Sequence, residues 1–278
     1  IKSSAASDVY KRQIIGIASI IAIVSTIKGT SEQIKEDLIG AGNNTVSVSL
    51  NYGDSDYDPE YGMTDGTEPP LLSDQQKEDV MNLDHVENAT FFYSRTYTSS
   101  VYYENTSFQG GSIYGIDMNY LDTCGYMVRS GRGFIQKDYD EMRKVVLVDS
   151  NAADNLFAGK DPVGKTIEIG SEPFTVIGVV EQNDDYQPNI KTIDEYNQYY
   201  QMIMGTVMIP NKCWPMAFKF DEPENAVIRA DSTDNMSSAG NAAADIMNQG
   251  INTNTSKYKY KALSLIHISE PTRPRLIS

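Results

Sequence analysis

Only two cysteines and two histidines occur in the 278 residues, and each scarcity removes a class of chemistry. Cys124 and Cys213 are too few for a disulfide scaffold or a structural zinc site. They leave two readings open: one bridge formed outside the cytoplasm, or a pair of buried free thiols. Neither His85 nor His267 has a Cys or His neighbour at ligand spacing, so both read as structural or surface residues rather than ligands or bases. Basic residues are short as well, with 23 Lys and Arg against 38 Asp and Glu and a net charge of −15. That balance excludes nucleic acid as a partner, because binding it requires a basic face to neutralise phosphates. Neither G-x-S-x-G nor H-E-x-x-H is present. No nucleophile therefore comes with a base, and no metal cluster is set out for catalysis.

What is there suits a folded, sheet-rich domain. Hydrophobic residues make up 40% and charged residues 22% of the chain, enough for one large or two small domains with a real core. Tyrosines (18) outnumber phenylalanines (8), which favours strands with one face near solvent. Residues 1–13 and 264–278 resemble translated sequencing-adaptor sequence and are set aside from fold reasoning. The head carries net +2 (Lys2, Lys11 and Arg12 against Asp8) and the tail net +1 (Arg273 and Arg275 against Glu270), which leaves −18 for the rest.

Residues 14–27 are uncharged and nearly all apolar, but shorter than the about 20 residues of a complete span. A buried core helix and a signal-peptide hydrophobic region compete for this segment. No small-residue cleavage site follows, and the helical pattern runs on to residue 39 with Ile27, Ile34 and Leu38 on one face. The expectation is a transmembrane helix whose first turns were lost at the adaptor-like junction, continuing as a stalk. Residues 45–52 then alternate as a half-buried strand, and 54–70 read as a mobile surface loop. Ser73-Asp-Gln-Gln76 is a capping box opening a helix to about residue 83. Phe91, Tyr93, Tyr97, Val101 and Tyr103 predict one long strand, turning at 104–106 into a partner that ends near residue 116. Residues 181–205 form a polar insert, read as a surface excursion rather than a substrate-facing loop. Strands are expected at 206–210 and 226–230. Met236, Ala239, Ala242, Ala243, Ile246 and Met247 mark one face of a helix capped by Asp234.

The most informative stretch is 131–180, GRGFIQKDYDEMRKVVLVDSNAADNLFAGKDPVGKTIEIGSEPFTVIGVV. Residues 145–148 predict a strand, and Ala152, Ala153, Leu156 and Phe157 a helix with Ser150 as its cap and Gly159 at its end. Ile167 and Ile169 then alternate into a hairpin that turns at Gly170-Ser171-Glu172 and returns over 174–180. Residues 159–166, GKDPVGKT, satisfy the phosphate-loop pattern G-x-x-x-x-G-K-[ST] letter for letter. That motif works when a strand precedes it and a helix follows. Here the order is inverted, so a tight turn is predicted and not a nucleotide site.

The succession GR-x-F, apolar strand, LFAG-x-DPVGKTI and FTVIGVV resembles the periplasmic core domain of MacB-type ABC transporter permeases. The resemblance extends upstream to IIGIASIIAIVSTIKG, GNNTV at 42–46, LLSDQQ and YGID, and downstream to VMIP, covering most of 14–263. It implies an α+β fold: a transmembrane and stalk helix over 14–41, then an extracytoplasmic domain of two lobes. One lobe is porter-like, from 42–118 and 206–263, and the other a small α/β lobe, 119–205. It further implies that the domain passes motion from a cytoplasmic ATPase to the export or extraction of a substrate, with ATP hydrolysis on a separate subunit or domain. The implied partners are the ABC ATPase, a second permease chain, membrane lipid and an extracytoplasmic adaptor protein. The implied location is the cell membrane, with one N-terminal span and the bulk of the chain outside.

No residue is assigned a catalytic, cofactor-binding or metal role, and no cofactor is expected. Asp138 with Asp140, Asp184 with Asp185, and the acidic run 54–58 lack the spacing of a calcium loop and read as solvated loops. Sequons at Asn43, Asn88, Asn105, Asn235 and Asn254 follow from an Asn- and Thr-rich composition. The competing function is a membrane-anchored extracellular binding or sensor domain without transport, with a secreted enzyme behind it. Further hydrophobic spans downstream and a neighbouring ATPase gene are what would tell these apart.

Overall fold

The computed structural model describes residues 44–59, 68–96, 100–183, 205–251 and 256–263. The expected span and stalk, Asp184 and Asp185 with most of the polar insert, Tyr97, His267 and both adaptor-like ends lie outside them. Among the described residues no helix is long and apolar enough to cross a membrane.

The described chain is a mixed α+β structure dominated by one hydrogen-bonded sheet. In chain order its strands are β1 (Thr45–Tyr52), β2 (Ser55–Asp56), β3 (Val86–Arg95), β4 (Val101–Tyr103), β5 (Thr106–Ser107), β6 (Ser112–Ile116) and β7 (Tyr126–Gly131). They continue as β8 (Val145–Asp149), β9 (Thr166–Ile169), β10 (Glu172–Gln182), β11 (Thr206–Pro210), β12 (Asn225–Ala230) and β13 (Tyr258–Leu263). Their spatial order is β13-β1-β12-β3-β6-β11-β8-β10-β9-β4-β5, with β2 on β1 and β7 on β10. The β8–β10 and β6–β11 pairs are parallel, and the other pairs antiparallel. The helices are α1 (Asp74–Met81), α2 (Tyr120–Thr123), α3 (Gln136–Asp140), α4 (Ser150–Phe157), α5 (Trp214–Ala217) and α6 (Met236–Met247).

Side-chain alternation sorts the apolar residues onto two faces. On one face lie two cores side by side. The first gathers Val46, Val48, Leu50, Ala89, Phe91, Ala226, Ile228 and Tyr260 under α1 and α6. Small residues on α6, Ala239, Gly240, Ala243 and Ala244, let that helix sit close to β1 and β13. The second gathers Val146, Val148, Val176, Val207 and Ile209 with Leu156 and Phe157 of α4 and Trp214 of α5. Val101, Tyr103, Phe108 and Ile113 pack in this second core as well, alongside residues from 146–179. On the reverse face Phe92, Ile116, Leu147, Val180, Met208 and Val227 pack with Tyr120 and Cys124. Burying each large aliphatic or aromatic side chain stabilises the fold by about 1.5–3 kcal/mol.

Several local expectations are met. β1 has the expected bounds, and the Ser73 capping box is formed: Gln76 N donates to Ser73 Oγ at 3.2 Å and Ser73 N to Gln76 Oε1 at 3.1 Å. Others are corrected. The long strand expected from Phe91 onward starts at Val86, with Ala89, Thr90, Phe91 and Phe92 buried in succession because the strand is covered on both faces. β4 is a separate strand that pairs with β9, whereas β6 returns to β3. Part of the expected 54–70 loop, Ser55–Asp56, is a short strand on β1. Asp149, not Ser150, caps α4, with Ala152 N donating to its Oδ1 at 2.7 Å. Ala158, at φ 49°, ends that helix one residue before Gly159. Asn235 rather than Asp234 stands at the start of α6, without a side-chain cap bond.

Candidate functional site

The GR-x-F motif closes a clasp. Gly131 takes φ 74°, and any Cβ there would collide with the Ile177 carbonyl oxygen, so only glycine fits where β7 crosses β10. The turn delivers Arg132 to the fully buried Asp138, with Nη1–Oδ2 at 2.6 Å and Nη2–Oδ1 at 3.1 Å. Ile135 N donates to the same carboxylate at 3.0 Å. Burial works against ionisation of Asp138, but the Arg132 bonds, the Ile135 amide and the Arg143 charge outweigh it and hold the carboxyl below its usual range. A pair so engaged holds the β7–α3 turn in place; it is not a metal ligand set.

Residues 159–166 follow α4 and lead into β9, the reverse of a phosphate loop. Four of their amides are already committed. Gly164 N donates to Val176 O at 2.8 Å, Lys165 N to Pro162 O at 3.0 Å, Lys160 N to Phe157 O at 3.0 Å and Val163 N to Asp161 Oδ1 at 3.0 Å. A phosphate would have to break these bonds to be cradled.

The other sequence-nominated residues are scattered. Cys124 and Cys213 are buried free thiols, pushed up by burial to about 12 and about 11, which makes them poor nucleophiles. His85 is exposed and pairs with Asp231 at 2.9 Å, a hydrogen bond that raises its pKa. Asp56 accepts from Asn51 Nδ2 at 2.9 Å, Asp58 from Thr96 N at 3.0 Å and Asp140 from Gln136 Nε2 at 2.9 Å. Among the described residues no three His, Cys, Asp or Glu converge on a common point.

The most tightly built polar feature was not anticipated from sequence. It is the segment 219–225, which joins the two side-by-side cores. Glu222, 4% exposed, accepts from Arg95 Nε at 3.2 Å and from Arg95 Nη2, from Trp214 Nε1 at 3.0 Å and from Lys219 N at 3.3 Å. The Arg95 guanidinium also lies over the Phe218 ring, 4.5 Å from its centroid. Two residues on, the buried Glu224 pairs with Lys77 of α1, and its carbonyl accepts from Tyr260 OH at 3.1 Å. Burial raises the Glu224 pKa and Lys77 offsets part of that. Asn225 then takes Leu50 N on Oδ1 at 2.9 Å and gives Nδ2 to Ser94 Oγ at 2.9 Å. One short segment therefore grips α1, β1, β3 and β13 on one side and Trp214 on the other. Arg95, Lys77 and Tyr260 lie far away in sequence, and Glu222-Pro223-Glu224 sits between Asp221 and Asn225 in a polar stretch, so nothing local marked the place.

The second feature is where the chain enters and leaves. β1 and β13 are antiparallel neighbours, with Ser47 opposite Leu263 and Tyr52 opposite Tyr258. The start of β1 and the end of β13 therefore lie together at one end of the ladder. β1 is held on its other edge by β12, from Thr45 opposite Arg229 to Val48 opposite Ala226. Asn44 adds two ties at the same end: its carbonyl accepts from Ala230 N at 2.8 Å, and Thr233 Oγ1 lies 2.8 Å from its side-chain oxygen.

Comparison with known proteins places this geometry. The family model described as MacB-like periplasmic core domain matches residues 14–246. The chain is 31% identical over 266 residues to the uncharacterized ABC transporter permease YvrN of Bacillus subtilis (strain 168), covering 92% of this chain and 61% of that protein. It is 33% identical over 186 residues to the macrolide export ATP-binding/permease protein MacB of Neisseria gonorrhoeae, covering 67% of this chain and 27% of that protein. The chain thus spans under two thirds of the length of either relative. Its fold is similar to the extracellular domain of the noncanonic ABC-type transporter YknZ from Gram-positive bacteria (TM-score 0.53, 19% identity, 80% of this chain and 100% of that one). It is likewise similar to the periplasmic region of MacB from Actinobacillus actinomycetemcomitans (TM-score 0.55, 19% identity, 82% and 91%). A clasp built on GR-x-F, a hairpin where a phosphate loop was spelled and a family match over most of the chain converge: this chain belongs to the MacB-like periplasmic core domain family of ABC transporter permeases.

Proposed function

We propose that this domain receives motion from a cytoplasmic ATPase through membrane-spanning segments and passes it to substrate export or extraction outside the membrane. The observation that carries the reading is the common root of β1 and β13, which brings both connections of the domain to one end of one ladder. Displacing both connections together loads the β1–β12 hydrogen bonds in shear, all at once. Moving them apart would open the β1–β13 ladder one bond at a time, since ladder bonds lie across the strands. The root is thus stiff to motion shared by the two connections. Load on Leu50 and Tyr260 reaches Asn225 and Glu224 directly, and Glu222 hands it to the second core.

In this reading residues 14–27 form a single N-terminal span and the helix runs on to residue 39 as a stalk, with the bulk of the chain extracytoplasmic. The domain has a porter-like lobe, 42–118 with 206–263, and a small α/β lobe, 119–205, with the second core built from residues of both. The ATPase is a separate subunit or domain, and the domain itself is not catalytic. A second permease chain, membrane lipid and an extracytoplasmic adaptor complete the assembly. The test is made in the complete permease with its ATPase. Lys28→Gly with Thr30→Gly, flanking Gly29, puts three consecutive glycines in the stalk, each about 1 kcal/mol worse than alanine in a helix. Membrane insertion and basal ATP hydrolysis stay near normal while transport or force-dependent output is lost. Full output at equal expression would make the segment a tether and sink the mechanical reading.

A further inference from the structure

We propose that the outer face of β4, β9 and β10 is a docking site for a basic side chain, an arginine or lysine carried by an extracytoplasmic partner protein. The register puts Tyr102 opposite Glu168 across β4 and β9, and Glu168 opposite Pro173 across β9 and β10. Directly opposed residues share a face, so Tyr102, Glu168 and Pro173 form one row on the outside of the sheet. Their strand neighbours Val101, Tyr103, Ile167, Ile169 and Phe174 point the other way, into the second core.

The row borders a surface cavity of about 420 Å³, also lined by Glu104, Thr166 and Ser171. That volume lies within the about 300–1,000 Å³ typical of ligand sites, ample for one long basic side chain. Tyr102 is 40% exposed, although its immediate neighbours in the strand are buried. No Lys or Arg lines the cavity, and Glu168 forms no ion pair with another described residue. An aromatic face attracts a cation through its quadrupole, a carboxylate forms its strongest hydrogen bonds with guanidinium or ammonium, and the two hydroxyls can accept the remaining N–H groups. Pro173 offers apolar surface for the methylene stem, as long basic side chains require.

Two further observations bear on the partner. In the strand order β4 stands nine places from β13, so the cavity is not on the strands of the root. The chain as a whole carries −15, a field that steers a basic surface toward it and adds long-range attraction to a contact that one pocket alone would make weakly. This inference stands independently of the mechanical reading of the root.

The test uses the complete chain and fluorescein-labelled Gly-Ser decapeptides carrying two arginines, two lysines or two citrullines, with binding read by fluorescence anisotropy at low salt. The arginine and lysine peptides bind more tightly than the citrulline peptide, which has nearly the shape of arginine without its charge. Tyr102→Ser and Glu168→Gln each weaken the arginine peptide about threefold or more. Glu87→Gln, an exposed charge removed on β3, leaves binding unchanged. Equal binding of the citrulline peptide, an equal loss with Glu87→Gln, or no saturable binding of the arginine peptide overturns the proposal. So does displacement by spermidine at concentrations well below the peptide's own dissociation constant, which would assign the cavity to a free polyamine.

Discussion

Removing the Glu222 carboxylate from the junction between the cores takes a partner from two buried groups at once. Glu222→Met takes the carboxylate partner from the Arg95 guanidinium, its side chain 12% exposed, and leaves the indole N–H of the fully buried Trp214 without its acceptor. Breaking a buried pair on one side costs about 3–5 kcal/mol, against a total stability of about 5–15 kcal/mol for a domain. At about 2–4 °C per kcal/mol for a domain of this size, the melting temperature should drop by about 6–20 °C. Arg95→Met should cost a similar amount, because Glu222 then keeps only Trp214 Nε1 and Lys219 N as donors. Replacing both together removes the uncompensated charge, and apolar replacement of a whole buried pair is often neutral or stabilising. The double variant should therefore recover about 2 kcal/mol or more relative to the sum of the singles. Urea unfolding of the four proteins of the cycle measures this. Single losses below about 1 kcal/mol, typical of exposed pairs, or strictly additive losses would refute the buried-junction account.

Purified chain should show no saturable ATP binding, and Lys165→Ala should change nothing measurable with a fluorescent nucleotide analogue; micromolar binding lost in that variant would show that the 159–166 loop rearranges. Burial pushes Asp149 up to about 6 despite bonds from Ala152 N and Thr206 N, above about 3.9 for an unfolded aspartate. Between those values the folded state holds more protons, so this residue adds stability as pH falls from 7 toward 4, by about 3 kcal/mol at most. Comparing urea unfolding at pH 7 and pH 5 for wild type and Asp149→Asn should show that gain only in the wild type. Asp138 has the opposite sign: its lowered pKa contributes stability that is present above the unfolded value and lost as pH falls through the folded one, so Arg132→Gln should flatten the acid limb of the stability curve.

What could be read from the sequence was what local chemistry fixes. β1 alternates because only one of its faces meets α6, and Ser73 and Gln76 cap α1 within a single turn. The hairpin β9–β10 follows from Gly170 and Ser171, both at positive φ, as a two-residue turn matching sheet twist requires. The start of β3 escaped because a central strand covered on both sides loses the alternation that reveals a strand's faces. The cap of α4 was misplaced by one residue because Asp149 and Ser150 are both good caps, and the choice is made by Thr206 N, which reaches Asp149 Oδ2 at 2.8 Å from across the sheet. The junction at 219–225 could not be read at all. Arg95 and Glu222 stand 127 residues apart, and nothing in the neighbourhood of either states that the other is there.

That distance also bears on why the junction is ionic. Apolar contacts are non-directional, so two cores packed only through aliphatic side chains could slide against each other at little cost. A carboxylate that accepts four donors from three segments has one satisfactory position, and each donor it loses leaves a buried group unpaired. If load enters at β1 and β13 as proposed, the segment between the cores must not creep, and directional bonds resist creep where apolar packing does not. The melting experiment therefore has a mechanical counterpart in the full permease. The double Met variant of Arg95 and Glu222 should keep most of its thermal stability while transport output per ATP hydrolysed declines, because the cores would still pack but no longer be keyed to one another. Unchanged output per ATP in a stable double variant would mean that the junction serves folding alone.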